Sequence, residues 1–208
     1  MNKLTKAGLF VILILIIDQA LKIWIKTNMF IGQEYNIFGN WFIIHFTENN
    51  GMAFGFELGG EFGKIALSIF RIIAVGFIGY YIYKLSKTKV ATGYMLSIAG
   101  IFAGAMGNIL DSAFYGTIFN KSPFYYESII KTNPATLFPE TGGYAPFLYG
   151  KVVDMFYFPL IRGNFPDWFP LWGGEEFLFF RPVFNIADAS ITVSVIVIIL
   201  FYRSYLKK

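Results

Sequence analysis

Residues 90–110 read VATGYMLSIAGIFAGAMGNIL, 21 residues without a charged side chain. A helix rises about 1.5 Å per residue, so about 20 residues cover the roughly 30 Å hydrocarbon core of a bilayer. This stretch therefore predicts a membrane-spanning helix. Its small residues Gly93, Ser97, Gly100, Gly104 and Gly107 are spaced 4, 3, 4 and 3. That spacing lines them along one stripe, where another helix can approach closely.

Working outward, three more spans are predicted, at about 4–25, 65–83 and 183–202. The first contains the uninterrupted apolar run from Ala7 to Ile17, the second is apolar except for Arg71, and the fourth has Asp188 near its start. Lys3 and Lys6 ahead of the first run resemble the start of a signal peptide. No small-x-small cleavage site follows, and Asp18-Gln19 comes next instead, so the segment is read as a span. Composition agrees. The 208 residues are 56% hydrophobic, 20% aromatic and 14% charged, against about 25% charged in soluble domains. Disorder is excluded and an ordinary soluble globule is disfavoured. The expected fold is an all-α membrane protein, one integral membrane domain over 1–208, with four transmembrane helices.

Basic residues orient it. Lys3 and Lys6, then Lys84, Lys87 and Lys89, then Arg203, Lys207 and Lys208 form three clusters with no Asp or Glu among them. In a four-span chain all three fall on one side, which the positive-inside rule makes cytoplasmic. Both termini are then cytoplasmic. The net charge of +4 reflects topology, and no nucleic-acid partner is expected.

Two segments, about 26–64 and 112–182, then face outward. The first holds Trp41-Phe-Ile-Ile-His-Phe46 between the turn signals Gly39-Asn40 and Asn49-Asn50-Gly51, which predicts a small extracytoplasmic β-sheet region. The second is a long aromatic outer loop rich in Pro and Gly. Aromatic rings favour the headgroup level, so it is expected to rest on membrane lipids. Cysteine is absent and His45 is the only histidine. Thiol chemistry and a multi-histidine metal site are excluded, and His45 in its alternating run reads as structural.

Polar residues collect at one depth. Asp18, Gln19 and Lys22 end span one. Asn108 and Asp111 end span three, and Asn185 and Asp188 begin span four. The outer segments add Asn49, Gly51 and Asp154. Each has a plain alternative. Asp18 and Lys22 at i, i+4 neutralise each other; Asp111 anchors a helix end; Asp188 favours a helix N-terminus through the macrodipole; Arg71 snorkels or pairs within the bundle. Asp154, between two valines and an aromatic run, has no such easy account. Intramembrane acids also mark ion pathways, so a small transporter or channel is one alternative class and a noncatalytic assembly factor another. Against transport, the acids gather at one interface and no internal repeat is present.

Five motifs in order give the chain a resemblance. They are Asp18-Gln19-x-x-Lys22, Asn49-x-Gly51-x-Ala53-Phe54, Gly107-Asn108-x-x-Asp111, Val152-Val153-Asp154 and Phe184-Asn185-x-Ala187-Asp188. The set resembles the lipoprotein signal peptidases (signal peptidase II), four-span aspartic endopeptidases of the bacterial cytoplasmic (inner) membrane. The resemblance implies that Asp154 and Asp188 are the catalytic pair. It implies that Asn49, Gly51, Asn108, Asp111 and Asn185 shape the site and bind substrate, supported by Asp18 and Lys22. It also implies a prolipoprotein substrate whose cysteine carries diacylglycerol, cleavage on the N-terminal side of that cysteine, no metal or organic cofactor, and a monomer. Two departures stand out. Ser112 occupies the place where the family pattern has Arg, with Arg162 and Arg181 as candidate substitutes. The intervals from Asp111 to Asp154 and from Asp154 to Asp188, 43 and 34 positions, are long for the family.

Overall fold

The computed structural model describes residues 2–50, 60–126, 132–179 and 181–207. Its first helix, α1, runs Lys3–Asn28, and its amino end is capped by Asn2, whose side chain accepts from Thr5 N. After the strands β1 (Glu34–Phe38) and β2 (Phe42–Asn49) come α2 (Gly60–Ser86) and α3 (Thr92–Leu110). α3 continues through a π-helical turn, Asp111–Tyr115, into a single α-turn, α4 (Gly116–Ile118). Three helical stretches, Lys3–Asn28, Gly63–Ser86 and Thr92–Ile118, are long and apolar enough to cross a membrane. They correspond to the first three predicted spans.

The last helix, α5, is Ile186–Phe201, 16 residues or about 24 Å, shorter than the span predicted at 183–202. The reason is local. Val183 and Phe184 form the strand β6 instead, and Asn185 stops the strand and caps the helix. The second outer segment also differs from a plain loop. It contributes β3 (Val152–Tyr157), β4 (Ile161–Asn164) and β5 (Glu176–Phe179) besides β6. The expected hairpin is thus two strands of a four-stranded antiparallel sheet, ordered β1-β2-β3-β6, while β4 and β5 pair separately. The molecule is helices plus a small antiparallel sheet, not all-α.

Two buried cores hold these parts together. One joins Ala7, Ile82, Leu85, Tyr94, Met95, Ala99 and Ile198 of α1, α2, α3 and α5. The other sits under the sheet and joins Ile25, Met29, Phe46, Tyr115, Phe119, Val153 and Met155. The strand alternation of β3 sends Val153 and Met155 into this core and leaves Asp154 on the opposite face. At the far end of the bundle Lys3 Nζ donates to Thr88 O (3.1 Å) and Val90 O (2.6 Å), and Ala91 N donates to the Tyr205 hydroxyl. The amino end, the α2–α3 loop and the carboxyl tail therefore share one end, and the sheet occupies the other. Leu9, Ile12, Leu13 and Ile16 of α1, Phe70, Phe77 and Tyr80 of α2, and Ile199 and Leu200 of α5 are exposed. Such a belt is a liability in water and suits a lipid surround.

The small stripe of α3 is where α1 and α5 approach. A β-carbon on Gly104 would lie 2.2 Å from Ala187 O, and one on Gly107 would lie 2.8 Å from Asp18 Oδ2. Backbone cannot move aside as a side-chain tip does. Gly104→Ala is therefore expected to push α5 away and cost roughly 1–3 kcal/mol, as core overpacking does. Thermal unfolding in detergent, compared with the exposed change Gly76→Ala, checks it.

A candidate active site beneath the sheet

Charged residues of α1 lie at four-residue intervals: Asp18, Lys22 and Lys26. All three are almost fully buried. Lys22 Nζ lies 2.9 Å from Asp18 Oδ2, 2.9 Å from Asp111 Oδ2 and 3.0 Å from Asn108 Oδ1. One ammonium thus joins α1 to the carboxyl end of α3. Gln19 Nε2 adds bonds to Asp111 Oδ1 (2.9 Å) and Asp18 Oδ2 (3.0 Å), and the Tyr115 hydroxyl donates to Gln19 Oε1. Asp111 also accepts from Val153 N at 3.2 Å, which ties the site to β3. The plain reading of Asp18 and Lys22 as mutual neutralisers is incomplete, since Asp18 Oδ1 also accepts from Ala187 N (3.0 Å) at the first turn of α5.

Asn185 caps α5 in a reciprocal box. Its Oδ1 accepts from Asp188 N (2.9 Å), and Asp188 Oδ2 accepts from Asn185 N (3.3 Å). This arrangement satisfies backbone N–H groups that a helix start leaves unpaired. The same Asn185 uses its Nδ2 toward Asp154 Oδ1 (2.7 Å), Asn108 Oδ1 (3.1 Å) and Val153 O (3.2 Å). Asn108 Nδ2 in turn donates to Asp188 Oδ1 at 2.8 Å. The two acids, 34 positions apart in sequence, are therefore linked through two amides. On the sheet, Asn49 pairs with Val152 and Thr47 with Asp154. That makes Asn49 a diagonal same-face neighbour of Asp154, and its Nδ2 donates to Asp154 Oδ2.

Burial divides the roles. Asn185 and Asp111 are fully buried, Asn108 and Asp154 nearly so, and Asp188 is half-buried. Asn108, Asp111 and Asn185 each bond other side chains of the site. Asp154, on β3 and outside the spans, is pushed up to about 8, first by burial and then by the negative charge of Asp188. Gly51, Ala53 and Phe54 lie outside the described residues. Ser112 donates to Asn108 O of its own helix (3.0 Å) and supplies no charge. Arg162 and Arg181 are exposed.

A profile of the signal peptidase (SPase) II family matches residues 10–203. The chain belongs to the signal peptidase II family. A lipoprotein signal peptidase of Porphyromonas gingivalis is 50% identical over 193 residues, 92% of this chain and 80% of that protein. One of Amoebophilus asiaticus is 36% identical over 95% of this chain and 77% of its own length. Two solved bacterial membrane enzymes share the fold with a TM-score of 0.55. They are 22% and 23% identical, and cover 98% and 94% of this chain and 92% and 91% of their own. The chain is thus a multi-pass bacterial membrane protein of a signal peptidase II kind.

Sequence reasoning missed one buried cluster in this signal peptidase II chain. Lys26 Nζ bonds Ser122 Oγ at 2.8 Å and pairs with Glu48, and Ser122 Oγ donates to Glu48 Oε1 at 2.7 Å. The ammonium also lies 5.0 Å from the Tyr144 ring centre. Glu48 precedes Asn49, so the cluster fixes the register of β2 beside Asp154. The available signal was the spacing, since Lys26 continues the Asp18–Lys22 stripe by one more turn. His45 bonds Glu34 Oε1 at 2.6 Å across the β1–β2 pair.

Proposed function

We propose that this chain is a membrane-embedded aspartic endopeptidase that cleaves lipid-modified prolipoproteins on the N-terminal side of the diacylglyceryl cysteine. The observation that carries the reading is the amide bridge: Asn185 and Asn108 bond each other, one holding Asp154 and the other Asp188. Two nearby carboxyls cannot both ionise cheaply, so one keeps a proton. Asp154, pushed up to about 8, is that partner and polarises the scissile carbonyl. Asp188 accepts N–H bonds at the amino end of α5 and is the ionised partner. It takes a proton from water, whose oxygen attacks the carbonyl carbon. The C–N bond then breaks as the leaving amine takes up a proton. Asp18, Lys22, Asn49, Gly51, Asn108, Asp111 and Asn185 shape the site.

The four-span topology accompanies this reading, with residues 1–208 as one membrane domain and both termini cytoplasmic. The shared end of Lys3, the α2–α3 loop and the tail supports it, because that end carries the basic clusters. The sheet and acids then face outward, with α5, shorter than the hydrocarbon core, crossing where the bilayer thins. Stacked rings of Phe38, Trp41, Phe42, Phe158 and Phe184 suit the lipid headgroup level. A monomer goes with this reading.

The test is incubation of detergent-solubilised protein with a diacylglyceryl-modified prolipoprotein peptide. A new fragment beginning at the lipidated cysteine is expected. Ion flux in liposomes without any such fragment counts against the enzyme.

The pH dependence has a definite sign. A carboxyl pushed up to about 8 from 3.8 adds stability that is complete below the ordinary value and lost as pH rises through about 8. Cleavage is expected to fall on an alkaline limb near pH 8 as Asp154 loses its proton. Asp154→Asn is expected to hold its Tm between pH 7 and 9 while the unaltered protein loses stability. Paired melting curves at the two pH values read this out.

A further inference from the structure

The acids at the site outnumber the cations so far placed there. Asp18 and Asp111 share Lys22, whereas Asp188 has only amide and backbone donors in the contacts described above. α2 carries a candidate. Its inward stripe is Lys64, Ser68, Arg71, Val75, Ile82 and Leu85, with Ser68, Val75, Ile82 and Leu85 buried and Ile69, Phe70, Ile72 and Ile73 exposed around it. Arg71 sits on this stripe between Ser68 and Val75, so it faces the bundle.

We propose that Arg71 is a positioning residue of the site, a cation on α2 that faces Asp188, Asp111 and Asp154 and holds Asp188 in its ionised form.

Three observations place it there. Lys64, two turns toward the sheet on the same stripe, bonds Asn50 Oδ1 (3.2 Å) and Tyr149 O (2.7 Å). Asn50 follows Asn49, the Asp154 partner, so the stripe begins at the site's upper edge. Arg71 lies seven residues on, about 10 Å deeper along the helix. A β-carbon on Gly79 would lie 3.2 Å from the Phe102 ring, and the Tyr81 and Tyr94 hydroxyls meet at 3.1 Å, so α2 runs antiparallel to α3 with Arg71 level with the Asp111 end of α3; there the carboxylates of Asp188, Asp111 and Asp154, from three different elements, favour its charge. Finally, Ser112 turns back onto its own helix, and Arg162 and Arg181 are exposed, so none of these supplies the charge.

Arg71 reduces the charge imbalance. With Asp154 protonated, the three carboxylates of Asp18, Asp111 and Asp188 face two cations, Lys22 and Arg71, instead of one. A nearby cation favours the charged form of a carboxyl, and burial between helices weakens screening. Of the other cations on α2, Lys84 lies in the last turn at the far end, and the Lys64 ammonium is engaged at Asn50 and Tyr149. Asn108 and Asn185 are neutral.

The inference rests on the proposed pairing of Asp154 and Asp188, and the experiment separates the two. The pH profile of kcat and KM is measured on the full-length protein with a lipidated prolipoprotein peptide, for the unaltered chain, Arg71→Gln, Arg71→Lys and Asp188→Asn. Arg71→Gln is expected to move the acid limb of kcat upward by about one pH unit, a roughly tenfold loss below that limb, with KM little changed. Arg71→Lys keeps the charge and is expected to retain the original limb. An unmoved limb in Arg71→Gln, an equal loss at every pH, or a displaced limb in Arg71→Lys overturns the role of Arg71. Normal cleavage by Asp188→Asn instead overturns the pairing on which it rests.

Discussion

Asp188→Asn is expected to lower kcat for a lipidated prolipoprotein peptide by at least ~10³-fold, within the range that loss of a positioned acid or base produces. The fold should survive, because an asparagine at 188 still offers an oxygen to Asn185 N and completes the capping box. Asp154→Asn is expected to lose as much activity. An asparagine at 154 keeps an oxygen toward Asn185 Nδ2, and Asn49 turns its amide to accept from the new NH2 group. The measurement is peptide cleavage followed by mass spectrometry, alongside thermal unfolding of each variant. Loss of activity with an unchanged Tm at pH 7 supports a chemical role. Full processing by either variant removes the pair from the mechanism.

The second large effect is structural. Lys22→Met leaves Asp18 and Asp111, both at most 1% exposed, without their shared ammonium. Breaking one side of a buried ion pair costs about 3–5 kcal/mol, and here one lysine serves two acids. The damage reaches α5, because Asp18 also accepts from Ala187 N. It reaches β3 as well, because Asp111 accepts from Val153 N. Lys22→Met is therefore expected to lose both stability and cleavage, unlike Asp188→Asn, which loses cleavage alone. The double change Lys22→Met with Asp111→Asn removes one of the stranded charges and is expected to recover part of the stability. Unfolding of the three proteins in one detergent separates these outcomes.

The spans were legible because their signal is local. An uncharged run such as 90–110 has few other uses, and the glycine stripe within it predicts a seam that α1 and α5 occupy. β3 was not legible as a strand. Val152–Tyr157 pairs with β2 across roughly a hundred residues of intervening chain, and nothing within Val-Val-Asp-Met-Phe-Tyr names that partner. The last span was read about one turn too long, mostly at its start, for the same reason, since Val183 and Phe184 are apolar whether they belong to a helix or pair with Phe156 and Tyr157.

The candidate site divides similarly. Motif order picked out Asp18, Lys22, Asn108, Asp111, Asp154, Asn185 and Asp188, and the fold brings all of them to the sheet end of the bundle. Their division of labour needed coordinates. Asn185 reads in sequence as a site-shaping residue, and the fold shows that it is wholly buried and bonded to both acids. Gln19 lay within a recognised motif without an assigned role, and its bonds to Asp111 and Asp18 supply one. Lys26 and Glu48 are 22 positions apart and belong to a helix and a strand. Only the packing of β2 against α1 reveals that they form one buried cluster.

The most direct test of the central claim is an experimental structure with a bound lipopeptide mimic bearing a hydroxyl in place of the scissile carbonyl. The account predicts that hydroxyl within about 3 Å of a carboxyl oxygen of both Asp154 and Asp188. A hydroxyl seated away from both acids, or the acids held on opposite sides of the bound mimic with no atom bridging them, would contradict it.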